Sequence, residues 1–111
     1  MNSTKELIGA TTGILVLSIL DREASYGYAI VRRINEQGDG LFTWQEGTVY
    51  PVLHKLEKQD YLRTQWQQSE TGRRRKYYYI TEAGRAALVE RKNEWSRFNR
   101  MIASAVETRH G

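Results

Sequence analysis

Residues 62–80 read LRTQWQQSETGRRRKYYYI, from Leu62 to Ile80. Leu62, Thr64 and Trp66 alternate with Arg63, Gln65 and Gln67, the period-two pattern of a strand. Arg75 to Ile80 is rich in β-formers. Tyr77 and Tyr79 fall on one face and Tyr78 and Ile80 on the other, so one of these pairs belongs to the core. Between the two runs, Ser69-Glu70-Thr71-Gly72 is polar and holds a glycine, as a turn requires. The stretch is therefore a β-hairpin with a charged tip. Between Arg63 and Lys76 stand five basic residues (Arg63, Arg73, Arg74, Arg75, Lys76) and one acid, Glu70, a balance equal to the +4 net charge of the whole 111-residue chain. A solvated charged turn has such a composition. So does a polyanion-binding patch, and the neighbouring elements decide between them.

Upstream of the hairpin, Val49, Leu53 and Leu56, widened by Val52, form the buried stripe of a helix that runs to about Gln59. Pro51 is the only proline in the chain. A proline is tolerated where the helix has no internal partner for its N–H, in the first turn. This places the start near Glu46 to Thr48, with Thr48 as cap. Thr43 with Glu46 also reads as a capping box and sets Pro51 deeper; the sequence leaves both starts open. Before it, Ser25 can cap a helix from Tyr26 to about Gln37, with Tyr26, Ala29, Ile30 and Ile34 on one face and Gly38-Asp39-Gly40 as the stop. The first helix spans residues 3–20, with Ser3 and Glu6 as a capping box. Ile14 to Leu20 is apolar on nearly every side and belongs at the centre of the core.

After the hairpin, Thr81 caps a long last helix, with Glu82 favourable at its N-terminus. Leu88, Trp95 and Ile102 are seven apart, and Phe98 and Ala105 fall on the companion positions, a seam that Arg91 interrupts. Trp95, Phe98 and Ile102 lie well past the last strand, so the stripe calls for a partner, most simply a second copy of the chain. Trp44 and Trp66 read as structural, Trp44 covering the core edge on the approach to the third helix.

Several classes are excluded. The chain is 40% hydrophobic and 11% aromatic, which fits one folded domain and not low-complexity disorder. It has no cysteine and two histidines, His54 and His110, so neither a metal site nor a cofactor is expected. His54 has no assigned nucleophile or carboxylate partner, and no phosphate-cradling glycine loop is present, so an enzyme is not expected. Lys5 before an apolar run has the order of a secretory signal. Asp21-Arg22-Glu23 closes the run without a cleavage pattern, and Ser18 interrupts it far short of the ~20 residues of a membrane span. A cytoplasmic protein with no membrane contact is expected.

The order helix, helix, helix, hairpin, long helix predicts a mainly α protein with a small β-hairpin (α+β). It is a winged helix-turn-helix over residues 1–80, followed by a C-terminal dimerisation helix over 81–111 in one compact unit. In a helix-turn-helix the second helix lies in the major groove of double-stranded DNA. Thr48, Tyr50, His54 and Lys55 are its polar groups outside the buried stripe. Pro51 shapes the backbone there and can touch a thymine methyl. Tyr26 and Tyr28 open the preceding helix, which faces the DNA backbone. At least two of Arg73, Arg74, Arg75 and Lys76 meet phosphates from the wing. A homodimer would carry two recognition helices about 34–36 Å apart and read a pseudo-palindromic operator.

Four stretches resemble the PadR family of bacterial transcription regulators. They are Tyr26-Gly27-Tyr28; Glu46-Gly47-Thr48-Val49-Tyr50-Pro51 leading into Leu53-His54-Lys55-Leu56-Glu57; Gly72-Arg73-Arg74-Arg75-Lys76-Tyr77-Tyr78; and Thr81-Glu82-Ala83-Gly84. The likeness covers about residues 5 to 105, in the family's order and spacing. The single C-terminal helix resembles the family's smaller subgroup. The resemblance implies a dimeric repressor that answers to small molecules such as phenolic acids or toxic drugs. It also implies a ligand site at the dimer centre, where Trp95 stacks on a flat aromatic effector and Phe98 and Asn99 lie nearby. Asn99 stands where the drug-binding pattern carries an acid suited to cations. Two other readings follow from the residues: a repressor without a ligand, and a winged helix that docks its basic hairpin on an acidic protein.

Overall fold

The computed structural model describes residues 3–38, 40 and 42–107, without the side chains of residues 3–6 and 10. The Ser3 and Glu6 side chains of the expected capping box, Asp39 of the expected stop and His110 lie outside the described residues. The elements run α1 (Ser3–Arg22), β1 (Ser25–Tyr26), α2 (Gly27–Gln37), α3 (Glu46–Lys58), β2 (Leu62–Gln68), β3 (Arg74–Ile80) and α4 (Glu82–Glu107). This is the mainly helical winged helix-turn-helix that the sequence predicts, with one addition. β1 joins the hairpin as a third antiparallel strand in the order β1-β3-β2, pairing Ser25 with Tyr78 and Tyr26 with Tyr77.

That strand changes the role of Ser25. The N-cap of α2 is Tyr26, with no side-chain capping bond. Ser25 is buried; its Oγ accepts a hydrogen bond from Arg33 Nη1 (3.1 Å), and Arg33 Nη2 pairs with Glu23 at 2.6 Å. The serine therefore anchors a strand and is not a helix cap. Two residues are too short to show a strand period, which is why the sequence alone gives no sign of β1.

The core is built around α1, as its apolar sequence requires. Val16, Leu17, Ile19 and Leu20 pack with Ile30 and Ile34 of α2, Val49, Leu53 and Leu56 of α3, Leu62, Tyr78 and Ile80 of the sheet, and Leu88 of α4. Of the two tyrosine faces, Tyr78 and Ile80 form the buried one. Leu88, placed in the dimer seam by its spacing, is 5% exposed and belongs to the chain's own core. The first turns of α4 thus pack within the winged domain, and the exposed seam starts farther along.

Helix α3 begins at Glu46, and neither capping scheme applies: Gln45 is the N-cap and makes no side-chain capping bond. Its carbonyl accepts from the N–H groups of Thr48 (2.9 Å) and Val49 (3.1 Å), so Thr48 is inside the first turn. Pro51 falls just beyond that turn, inside the helix, and removes the bond its N–H would have made to the Gly47 carbonyl. The turn before α3 is held instead by Asn35. Its Nδ2 donates to the Trp44 carbonyl (2.9 Å) while its Oδ1 accepts from the Trp44 N–H (2.7 Å). At the other end of the fold, Thr81 caps α4 as expected, its Oγ1 accepting from the Gly84 N–H at 3.0 Å.

Candidate nucleic-acid interface

The hairpin turn closes through the Gly72 N–H on the Ser69 carbonyl (2.9 Å) and the Ser69 N–H on the Arg73 carbonyl (2.8 Å). Gly72 has φ +86°, which a side chain would strain, and this geometry launches the arginine run back along β3. In the register, Trp66 faces Lys76 and Gln68 faces Arg74.

A cleft of about 640 Å³ lies between the wing, the start of α2 and α3. It brings together Tyr26 and Tyr28, Tyr50 and His54, and all four basic residues Arg73, Arg74, Arg75 and Lys76. No carboxylate is among its lining residues. The Arg75 guanidinium stacks 4.2 Å from the Tyr26 ring centre and Arg74 lies 5.2 Å from that of Trp66. Stacking orders the guanidinium planes while leaving N–H groups free for an oxyanion. Arg73 has neither an ion pair nor a ring contact among the described residues. Lys76 differs: its Nζ lies 3.7 Å from Glu57 of α3, whose other oxygen accepts from Thr64 at 3.2 Å. Glu57 thus ties α3 to the wing and offsets part of the Lys76 charge. The sequence reading had no role for it, because the pairing partners are on a different element.

Other site residues fall elsewhere. Thr48 and Pro51 do not line the cleft, and Pro51 is exposed on α3. Lys55 lines a separate groove with Gly9, Gly13, Val52, Leu56, Gln59 and Arg91, on the α1 and α4 side of α3. One residue after His54 is about 100° around a helix, enough to turn Lys55 away from the cleft. Trp66, expected to be structural, is 57% exposed and lines the cleft.

Tyr50 is pinned by Gly27. A Cβ on Gly27 would stand 2.7 Å from the Tyr50 hydroxyl oxygen. Gly27→Ala is therefore expected to push Tyr50 out of place and to weaken duplex binding several-fold, measured by fluorescence anisotropy. Burial, then the nearby Glu46 carboxylate, raises the Tyr50 phenol above its ordinary value. Burial first, then Glu57 and Tyr50, does the same for Tyr78. Both phenols are thus neutral hydroxyls at physiological pH. Above a pH of about 10 the unfolded chain loses these protons before the folded one does, so stability falls as pH rises. Tyr78→Phe should flatten that alkaline loss in a pH series of urea unfolding curves; an unchanged slope would count against it.

The model of the Transcriptional regulator PadR-like family matches residues 16–90. This span contains most of the core, the helix-turn-helix, the wing and the first turns of α4. The chain belongs to the PadR-like family. A PadR family regulator structure from Eggerthella lenta is 33% identical and superposes with a TM-score of 0.82 over 95% of this chain and 89% of that one. A Lysinibacillus sphaericus protein is 33% identical over 94 residues, 85% of each chain. The transcriptional regulator YqjI of Escherichia coli is 27% identical, and 86% of this chain spans 41% of it. This PadR-like protein is accordingly a DNA-binding transcriptional regulator and not an enzyme. Among the described residues no helix is long and apolar enough to cross a membrane.

On α4 of this PadR-like chain, Trp95 (41% exposed), Phe98 (53%) and Ile102 (44%) lie open beyond the core. Ala105 is also on the exposed part of the helix. A groove of about 330 Å³ is lined by Trp95 and Phe98 with Ile14, Arg91 and Glu94; Asn99 is not among its lining residues. Arg91 reaches across Gly13, where an added Cβ would meet its Nη1 at 3.0 Å, and stacks over Tyr61 at 5.6 Å. The spacing of Arg91, Trp95 and Phe98 at i, i+4 and i+7 was the available signal for this face; Ile14 gave none, since it comes from another helix.

Proposed function

We propose that this regulator is a homodimeric repressor of a pseudo-palindromic operator, and that a flat aromatic small molecule at the dimer centre modulates it. The observation that carries this reading is the row of exposed apolar residues on α4. Trp95, Phe98, Met101, Ile102 and Val106 are each at least 41% exposed, more contiguous apolar surface than a lone helix keeps in water. A second copy packing along this row would bury it and leave the Trp95 groove at the seam. The Glu94 carboxylate and the Arg91 guanidinium place both charge signs beside the indole. Residues 1–80 then form the reading unit and 81–111 the assembly helix, within a cytoplasmic protein. Tyr26, Tyr28, Tyr50 and His54 contact DNA from the cleft, with Arg73, Arg74 and Arg75 on phosphates. Thr48 and Pro51 approach it from the outer face of α3, and Lys76 and Lys55 contribute less.

An effector that fits one spacing of the two wings better than another shifts the population toward or away from the DNA-fitting form. The test is anisotropy of the protein on a labelled duplex of its own upstream DNA, with a panel of planar aromatic compounds, beside light scattering for mass. Expected are a dimer mass, tight salt-sensitive binding and release by at least one compound. Trp95→Ala should abolish that release and keep DNA binding. A monomer mass, or release that survives in Trp95→Ala, would overturn the assignment.

A further inference from the structure

Trp66 is the largest side chain of the wing, and its exposure has no packing explanation. On its face of the hairpin, the Leu62 and Ile80 pair at the base is buried, the Thr64 and Tyr78 pair comes next, and Trp66 opposite Lys76 lies beyond the core. The same face looks toward α3, because Thr64 and Lys76 both meet Glu57. The indole therefore stands on the wing wall of the cleft, with Tyr50 and His54 on the helix wall and Arg74 stacked over the ring.

This placement has a consequence for how the duplex is held; it rests on the reading of α3 as the major-groove helix and of the hairpin as the wing on the adjacent minor groove. The strand that separates two neighbouring grooves is a sugar-phosphate backbone, and it has to pass between helix and wing. Its phosphates suit guanidinium groups. Its deoxyribose rings present C–H surface and no charge, and suit a flat apolar plane. The cleft supplies both side by side. We propose that Trp66 packs its indole on a deoxyribose of this strand while Arg74, held on the ring, takes the adjoining phosphate. The pair grips the backbone through sugar as well as charge, and Trp66 is a DNA-contact residue.

The two halves of the grip differ in salt dependence. Neutralised phosphates release counterions and set the slope of log affinity against log salt; apolar contact with a sugar does not. The experiment is a salt series of anisotropy titrations on the upstream duplex with wild type, Trp66→Ala, Trp66→Phe and Arg74→Gln, each with a thermal melt. Trp66→Ala should bind about tenfold more weakly per half-site, with the slope and melting temperature of wild type. Trp66→Phe should recover most of the loss. Arg74→Gln should reduce the slope by about 1. Unchanged affinity in Trp66→Ala would overturn the inference. So would a slope reduced as in Arg74→Gln, since the indole would then only position the arginine. A wild type that binds no duplex would instead overturn the reading of helix and wing on which the inference stands.

Discussion

Replacing Arg73, Arg74 and Arg75 together by Gln is expected to weaken operator binding by about a hundredfold to a thousandfold, with little change in stability. The three guanidinium groups line a cleft without a carboxylate. Two are stacked on Tyr26 and Trp66, so part of the entropy of ordering them is already lost in the free protein. Each charge-assisted hydrogen bond to a phosphate is worth about 1.5–3 kcal/mol. At the lower end of that range, two such bonds give roughly a hundredfold and three roughly a thousandfold. The salt slope should fall by roughly 2 to 3, because each phosphate contact contributes about 0.9. Arg73 and Arg74 are exposed and Arg75 half-buried, so the melting temperature should hold within a few degrees. Lys76→Gln alone should do less, because Glu57 already shares its charge. Anisotropy across a salt series reads both quantities. A variant that binds within threefold of wild type at every salt concentration would remove the wing from the interface.

Trp44→Ala should have the largest effect on stability of any tryptophan change, about 3–5 kcal/mol in a urea titration. Trp44 is 7% exposed and stacks edge-on with Phe42 at 5.1 Å. Its indole N–H donates to Thr12 Oγ1 at 3.2 Å, and Thr12 in turn donates to the Ile8 carbonyl at 2.6 Å. Removing the ring leaves a cavity beneath the helix-turn-helix turn and deprives the buried Thr12 hydroxyl of its indole donor, while the Asn35 amide keeps its bonds to the residue 44 backbone. Against a typical total of about 5–15 kcal/mol, such a loss is a large share of the domain's stability. Trp44→Phe should cost about 1–2 kcal/mol, keeping most of the volume and losing the hydrogen bond. Trp66→Ala should stay within about 0.5 kcal/mol, as exposed substitutions do. An equal loss at Trp44 and Trp66 would contradict the division between one tryptophan in the core and one in the cleft.

That division marks where sequence reasoning ends. Both tryptophans read as structural, since a large aromatic near a strand or a helix start is more often core than contact. Strand alternation correctly put Trp66 on the same face as Leu62, but it does not say how far along the strand the core extends. The core ends after the Tyr78 pair, so Trp66 is left facing solvent and the recognition helix. Lys55 and His54 show the same limit on a helix. Both lie off the buried stripe, yet only His54 turns toward the wing, because the direction of the wing depends on how the sheet packs on α3.

The sequence by itself determined the four helices, the hairpin and their order. Period-two alternation, the apolar stripe of α3, the Thr81 cap and the run of arginines are local patterns, and local patterns persist wherever the element is placed. The tertiary structure alone decided which residues meet. It recruited Ser25 into a third strand, drew Leu88 into the core, and set Glu57 between wing and helix. Each of these depends on a contact between residues far apart in the chain, whose partner no local period records.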